Sequence, residues 1–488
     1  MHTLIRRIAR RIGRYEAIAF MSGFILMSYE LVASRILAPT IGTSMYVWTS
    51  VIGVMIAALA CGYAVGGWAA DKRGKPQDIV LLLLAAAGGI TITCVFYNAV
   101  LTSVALLLSD PRLQGVIAAT LLFAPASFVM GMLSPYLAKL RISSLSTTGR
   151  SVAGLGALNS LGGITGTFLT GFVFFNYIGS LQTLFLLVLL LLACSWIIMF
   201  RRQSRDRLIV SIVLCAIVSL QLALPAQADT IADIDTPTSH YKVIDTVYND
   251  RPFRVLIMGP GGFQSGIYTD GNNDLAFTYT RQIANVVQAA PHKARMLILG
   301  GGAFTLPAYL AQHYPDAQID VVEIDPKLPA IAARYFNYHP TANIHVISQD
   351  ARAYLRTANT RYDIAAIDVY NDESVPFAFA TQEYAADLKR VVTPDGVVAA
   401  NIIASTSPAC MPLLSGLHRS YTSSFSQSRV YPLSDANTNH KQNFVAVYSN
   451  APLAWTTQIA GPTVTPAPAA RPLTDNFAPT ERLIQQCT

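Results

Sequence analysis

The sequence predicts an α-helical transmembrane bundle of about seven spans, followed by a small β-rich cap and an α/β domain of alternating strands and helices. Three observations carry this. The 488 residues are 52% hydrophobic and only 13% charged, where soluble domains carry roughly 25% charged residues. The charge is split: 17 Lys+Arg stand against 6 Asp+Glu up to Ala228, and 18 against 22 beyond it. After Asp229 the long apolar runs give way to short β-rich segments and then to βαβ alternation. A purely soluble enzyme, a disordered chain and a fibrous chain are excluded. The net charge of +7 then reads as membrane topology rather than as affinity for nucleic acid.

A helix needs about 20 apolar residues to cross a bilayer. Stretches 17–38, 45–70, 79–108, 116–137, 152–175, 181–200 and 208–224 approach or exceed that length. The third is long enough to be one tilted helix or a hairpin, and a hairpin would make eight spans. Basic residues decide for seven: Arg6–Arg14, Lys72–Lys75, Lys139–Arg150 and Arg201–Arg207 hold 15 of the 17 in this half and all fall on one side. Parity then puts the N-terminus in the cytoplasm and residues after 228 on the far side. The last span also has the outline of a signal peptide, with Ala226-Gln227-Ala228 as a small-residue cleavage site. Either reading exports the second half of the chain. Glu30 and Arg35 within the first span are costly to desolvate, and pairing with each other or with a neighbouring helix is their simplest use. No charged relay runs through several spans, which argues against a stand-alone ion pump.

Beyond the membrane half, 241–248, 253–258 and 264–268 read as antiparallel strands of the cap. Strands at 296–299, 319–323, 345–348, 364–368 and 396–403, with helices at 306–313 and 329–335, predict a parallel, doubly wound sheet. The expected divisions are 1–228 (membrane module), 229–292 (cap), 293–450 (α/β domain) and 451–488 (a Pro/Ala-rich linker and tail). Ligands of such sheets bind beyond the carboxyl ends of the strands. Gly300, Gly301 and Gly302 lie there, letting a ligand approach the backbone. Glu323 ends the next strand at the distance where an acid holds ribose hydroxyls, and Asp350 and Asp368 end two more. No lysine follows the glycines, and Phe304 and Thr305 interrupt a G-x-G-x-x-G pattern. An adenosyl ligand without phosphate fits better than a nucleotide. The alternative for Asp368 is a strand-end acid capping the following helix.

These residues reach a known family. The stretch 236–449 resembles the spermidine synthase (polyamine aminopropyltransferase) family, within the S-adenosylmethionine-dependent, Rossmann-like methyltransferase-type fold. The resemblance rests on 239–245 (SHYKVID), Gln264-Ser265, Asp274, Tyr279, 297–302 (LILGGG), 322–326 (VEIDP), Asp350-Ala351, 362–368 (YDIAAID), 381–384 (TQEY) and 393–401 (TPDGVVAAN). The first half is similar to the membrane module fused to such domains in bacterial proteins, on 30–43 (ELVASRILAPTIGT) and 62–71 (GYAVGGWAAD). The resemblance implies an inner-membrane enzyme whose cosubstrate is S-adenosylmethionine or its decarboxylated form. Gln264, Glu323 and Asp350 would hold the adenosyl group, Glu323 on the ribose and Asp350 near the adenine. Asp368 would be the general base, orienting an ammonium and accepting its proton as the amine attacks. Tyr279 would face the substrate; the family's second acid has no ungapped match here, and Asp372 and Glu373 are the candidates nearby.

The departures from that family are equally specific. Ala303 stands where an aspartate binds the amine of the propyl arm, Thr280 where a histidine or glutamine follows the tyrosine, and a T-Y-P-S-G loop shrinks to 431–434 (YPLS). The adenosyl half of the pattern survives and the polyamine half does not. The acceptor is therefore expected to be a smaller or different amine, or the nucleoside alone is cleaved. Two other readings stay open: an S-adenosylmethionine-dependent methyltransferase, and a sensor or transporter that binds a nucleoside or polyamine without turnover. A homodimer is also left open. No C-x-x-C or His/Cys cluster suggests a metal. Four cysteines lie in spans; Cys410 and Cys487, the two in the exported half, either form a disulfide or remain two buried thiols. In the tail, 473–481 (LTDNFAPTE) resembles a segment that ends such fused proteins, and Asp475 there either reaches the mouth of the site or sits in a surface turn.

Overall fold

The structure is a computed structural model that describes residues 13–487 except 109, 143–147, 199–204, 224–229, 237, 260–261, 371–374, 435–439 and 468–470. It divides into two compact units, Met1–Ala228 with Ile234–His240, and Asp229–Asp233 with Tyr241–Thr488.

The first unit is helical: α1 (Arg14–Ile41), α2 (Met45–Arg73), α3 (Pro76–Leu107), α4 (Pro111–Leu122), α5 (Ala124–Arg141), α6 (Thr148–Leu169, continued by a π-helical turn to Phe174), α7 (Ser180–Ile198) and α8 (Arg205–Ala223). Among the described residues, five helices are long and apolar enough to cross a membrane, and α4 with α5, bent by 55°, would make a sixth. The third expected span is one unbroken helix of 32 residues, so the hairpin alternative is not what forms. The seventh meets only a shorter apolar stretch, Leu208–Leu220.

The break comes instead in the fourth expected span. Pro125 in the first turn of α5 cannot donate a backbone hydrogen bond, which interrupts the helix at Phe123. The Leu122 carbonyl next to the break is taken up by the hydroxyls of Thr93 (2.6 Å) and Tyr29 (3.2 Å), themselves 2.8 Å apart. In a bilayer such a carbonyl has no water to turn to, so α1 and α3 supply the missing donors. Helices α1 and α6 approach through glycine: a Cβ on Gly162 would lie 1.8 Å from the Phe20 carbonyl oxygen, and one on Gly23 would lie 1.9 Å from that of Asn159. Arg35 is not paired with Glu30. Its guanidinium donates to the Thr236 carbonyl (2.9 Å) and lies 4.7 Å from the centre of the Phe175 ring.

The second unit holds two sheets. The small one has the order β1-β2-β3-β4, from β1 (Thr230–Asp235), β2 (His240–Tyr248), β3 (Arg251–Ile257) and β4 (Phe263–Tyr268). It has one strand more than the sequence pattern showed, because β1 alternates weakly between polar and apolar residues. Helix α9 (Thr278–Ala289) follows, and its Ile283, Val286 and Val287 pack on the larger sheet. The elements β5 (Arg295–Leu299), α10 (Thr305–His313), β6 (Gln318–Glu323), α11 (Leu328–Tyr335), β7 (Ile344–Ser348), α12 (Ala351–Thr357), β8 (Tyr362–Ile367), α13 (Gln382–Val391), β9 (Val392–Ala404), α14 (Met411–Thr422), β10 (Gln427–Pro432) and β11 (Gln442–Ser449) complete the larger fold.

The larger sheet runs β10-β11-β9-β8-β5-β6-β7. Strands β9, β8, β5, β6 and β7 are parallel, but β11 is antiparallel to both β9 and β10. The sheet is thus mixed, and the expectation of a parallel one is corrected at this edge. A hairpin joins β10 directly to β11, and a hairpin can only pair antiparallel. Successive residues of the central strands point to opposite faces. Leu297, Leu299 and Ile367 pack with Leu355, Leu388 and Leu417 on the side of α12, α13 and α14. Met296, Ile298 and Ile364 pack with Val286, Leu310 and Ala332 on the side of α9, α10 and α11. Strand β5 has β6 on one side and β8 on the other, so the chain order reverses there and a crevice opens beyond the carboxyl ends of β5 and β8.

Candidate functional site

The turn leaving β5 is shaped by that crevice. Gly300 adopts φ +91°, and a Cβ there would lie 2.2 Å from the carbonyl oxygen of Asp368. Its N–H donates to the Val322 carbonyl (2.9 Å), while the Asp368 N–H donates to the Leu299 carbonyl (2.9 Å). The glycine turn and Asp368 are therefore held against each other by main-chain bonds. Gly302 is also left-handed (φ +52°) and faces Ser265 of β4, whose Oγ lies 3.3 Å from Thr305 Oγ1. Phe304, at φ +58°, ends the turn with its ring buried against Tyr338.

Glu323 is 7% exposed. Its Oε2 accepts the Gly301 N–H (2.8 Å) and its Oε1 accepts the Asp325 N–H (2.8 Å). Burial raises its pKa, and the backbone N–H groups of Asp325, Gly301 and Ile324 pull the other way. Each carboxylate oxygen has a second lone pair, so a further donor, such as a hydroxyl, can be accepted. Asp350 stands at the first position before α12, where its Oδ1 caps the Ala353 N–H (2.8 Å). It is exposed.

Asp368, just past β8, is partly buried. The Tyr279 hydroxyl donates to its Oδ2 (3.0 Å) and the Asn401 Nδ2 to its Oδ1 (2.9 Å). Burial raises the Asp368 pKa, and the two hydrogen bonds to the charged form hold it back. Burial and the Asp368 charge push the Tyr279 phenol well above its ordinary range, so it stays a donor. Asn401 is fixed in turn, its Oδ1 accepting from Asn443 Nδ2 (2.9 Å) and its carbonyl from the Tyr370 hydroxyl (2.9 Å). Gln264 lies on β4, its carbonyl 3.4 Å from the Tyr279 hydroxyl. Beside Asn401 a cavity is lined by Ile367, Val369, Val375, Phe379, Leu417 and Tyr421 among others, with no carboxylate among its described lining residues.

Gly300, Gly301, Gly302, Glu323, Asp368, Tyr279 and Gln264 thus gather around one crevice, with Asp350 at the start of the helix after β7. Asp372 and Glu373 lie outside the described residues. Asn401, Asn443 and Tyr370 were not singled out from the sequence. A polar residue closing the apolar run 396–400 was a signal for Asn401; the other two offered none. Cys410 and Cys487 form a disulfide. No group of three His, Cys, Asp or Glu able to hold a metal occurs among the described residues.

Residues 276–411 match the spermine/spermidine synthase domain. A polyamine aminopropyltransferase of Vibrio vulnificus is 35% identical over 133 residues, which cover 27% of this chain and 44% of that protein. A probable polyamine aminopropyl transferase of Bifidobacterium longum is 36% identical over 106 residues, 22% of this chain and 23% of that protein. The chain spans less than half the length of these curated relatives. A probable spermidine synthase from Corynebacterium glutamicum superposes with a TM-score of 0.41 at 20% identity, covering 54% of this chain and 95% of that one.

Proposed function

We propose that the chain is a membrane-bound transferase of the aminopropyltransferase type, using decarboxylated S-adenosylmethionine and releasing methylthioadenosine. The observation that carries this reading is the Asp368 carboxylate, held by Tyr279 and Asn401 against the glycine turn at the point where strand order reverses. Glu323, at the crevice, suits the ribose hydroxyls, and the exposed Asp350 carboxylate suits the adenine edge. The backbone of Gly300–Gly302 lets the nucleoside lie close.

The acceptor nitrogen attacks the propyl carbon bonded to the sulfonium. The C–N bond forms, the C–S bond breaks with its electron pair going to sulfur, and the ammonium proton passes to Asp368. A raised pKa makes Asp368 a better proton acceptor than an ordinary carboxylate. The sulfonium is a good leaving group, so alignment of nitrogen, carbon and sulfur supplies much of the remaining rate. Ala303 and Thr280, where the resembled family carries an aspartate and a histidine or glutamine, favour a smaller acceptor over a long diamine.

Product analysis tests this. Full-length protein in detergent, given decarboxylated S-adenosylmethionine and an amine, should release methylthioadenosine. Formation of S-adenosylhomocysteine from S-adenosylmethionine instead makes it a methyltransferase and overturns the proposal. We also place the second unit in the periplasm, on charge parity and on the Cys410–Cys487 disulfide, which oxidising compartments favour. A reporter fused after Thr488 that is active only in the cytoplasm refutes that placement.

A further inference from the structure

The matched domain ends at residue 411, yet the end of the chain returns to the site. Leu473 is buried: its N–H donates to Ser420 Oγ (2.9 Å) and its carbonyl accepts the Gln382 N–H (2.9 Å). Two residues on, the Asp475 carboxylate accepts from Thr381 Oγ1 (2.8 Å) and Arg352 Nη2 (2.7 Å), and the Asp475 N–H donates to Glu383 Oε2 (3.0 Å). Arg352 is itself 8% exposed, and its Nη1 donates to the Ala378 carbonyl (3.0 Å). At the far end Cys487 is bonded to Cys410, whose Sγ accepts the Ser405 N–H (3.0 Å). The strap 473–487 therefore grips two segments, 376–382 and 405–410.

The first of these segments borders the cavity beside Asn401. Phe379 lines it, and the Phe379 carbonyl is held by Tyr421, another lining residue (3.1 Å). Ser405 follows β9 four residues after Asn401. We propose that Asp475 is a positioning residue: through Arg352 and Thr381 it sets the 376–381 segment, and with it the acceptor side of the site. This rests on the transfer reading above. Without Asp475, Arg352 is a buried cation whose remaining carboxylate neighbour, Asp387, is 3.9 Å away. An unpaired buried charge is costly, so the guanidinium is expected to turn toward Asp387 and release Ala378. Thr381 loses the acceptor that orients its hydroxyl while it caps the Tyr384 N–H.

The test uses full-length protein in detergent, with Asp475→Ala, Asp475→Asn and Cys487→Ser variants. Two readouts are taken: amide hydrogen exchange, and steady-state kinetics with decarboxylated S-adenosylmethionine against putrescine, n-butylamine and ammonia. In Asp475→Ala the amides of Phe379, Ala380 and Gln382 should exchange at least about tenfold faster while those of 392–404 stay unchanged. The acceptor KM should rise by about tenfold, in line with the sensitivity of such reactions to sub-ångström misplacement, with the KM for decarboxylated S-adenosylmethionine within about twofold. Asp475→Asn, which can still accept from Thr381, should recover part of both effects, and Cys487→Ser should loosen both segments. Unchanged exchange at 379–382 in all three variants overturns the proposal, as does faster exchange with an unmoved acceptor KM. If the wild-type protein turns over none of the amines, the transfer reading has failed, and the exchange readout alone decides whether Asp475 sets the segment.

Discussion

Replacing Asp368 by Asn separates chemistry from folding at this site. The carboxamide has the shape of the carboxylate. Its Oδ1 can still accept from Asn401 Nδ2, which now stands 2.9 Å from the Asp368 carboxylate. Its Nδ2 then faces the Tyr279 hydroxyl, which becomes the acceptor and turns its own proton to the Gln264 carbonyl, 3.4 Å away. No buried polar atom is orphaned, so the usual cost of about 1–3 kcal/mol for an unsatisfied group does not arise. The sign of the charge effect points the same way. The folded-state pKa of Asp368 is raised, so its contribution to stability is complete below the unfolded-state value of about 3.9 and is lost as pH rises through the folded value. Above the folded value the neutral variant escapes that loss. Its melting midpoint should equal or exceed that of wild type, each kcal/mol shifting a domain of this size by about 2–4 °C. Catalysis should respond oppositely: loss of a positioned base lowers kcat by about 10²- to 10⁴-fold, or about 3–5 kcal/mol at 1.36 kcal/mol per decade. The assay is chromatographic release of methylthioadenosine beside calorimetric binding of methylthioadenosine and a thermal melt. A variant that keeps more than about a tenth of wild-type turnover refutes Asp368 as the base. One that melts well below wild type refutes the isosteric argument.

Asn401→Ala removes a donor to the charged form of Asp368, so the pKa rises further and the ascending limb of the rate–pH profile should move to higher pH; a limb that stays or moves down contradicts the assignment. Gly300→Ala forces a Cβ into the Asp368 carbonyl at φ +91°, costing on the order of 1–3 kcal/mol in backbone strain alone, and should lower both the melting midpoint and methylthioadenosine binding. Cys487→Ser opens a loop closed across 77 residues. Loop-closure entropy puts the loss at up to about 4.5 kcal/mol, read from denaturant midpoints; wild type treated with reductant should match the variant, and identical midpoints with and without reductant reject the claim.

Much of this molecule is legible along the chain because its signals are local. Twenty-residue apolar runs read as helices, and a strand–glycine–helix turn with an acid ending the next strand needs no distant partner to be recognised. Gly300, Glu323 and Asp368 were found this way. What could not be read depended on partners far apart in sequence. Whether the third or the fourth span breaks turns on Pro125 together with Tyr29 and Thr93, which come from two other helices to satisfy Leu122. The role of Asn401 depends on Asn443 and Tyr370, which sheet pairing brings beside it. Strands β10 and β11, short and without a glycine turn of the common hairpin type, became visible only once β11 paired with β9 and β10 with β11. The tail is the clearest case. The resemblance of the tail left Asp475 either in a surface turn or beside the site mouth, and its place was decided by Arg352, 123 positions earlier in the chain. Sequence by itself determined the two-part build, the crevice at the strand ends and the acid at its edge, since each follows from periodicity and strand-end position. Tertiary structure decided the mixed sheet, the pair of donors that hold Asp368 and the strap that reaches back to the site, because a hydrogen bond or ion pair between distant residues exists only after the fold has brought them within about 3 Å.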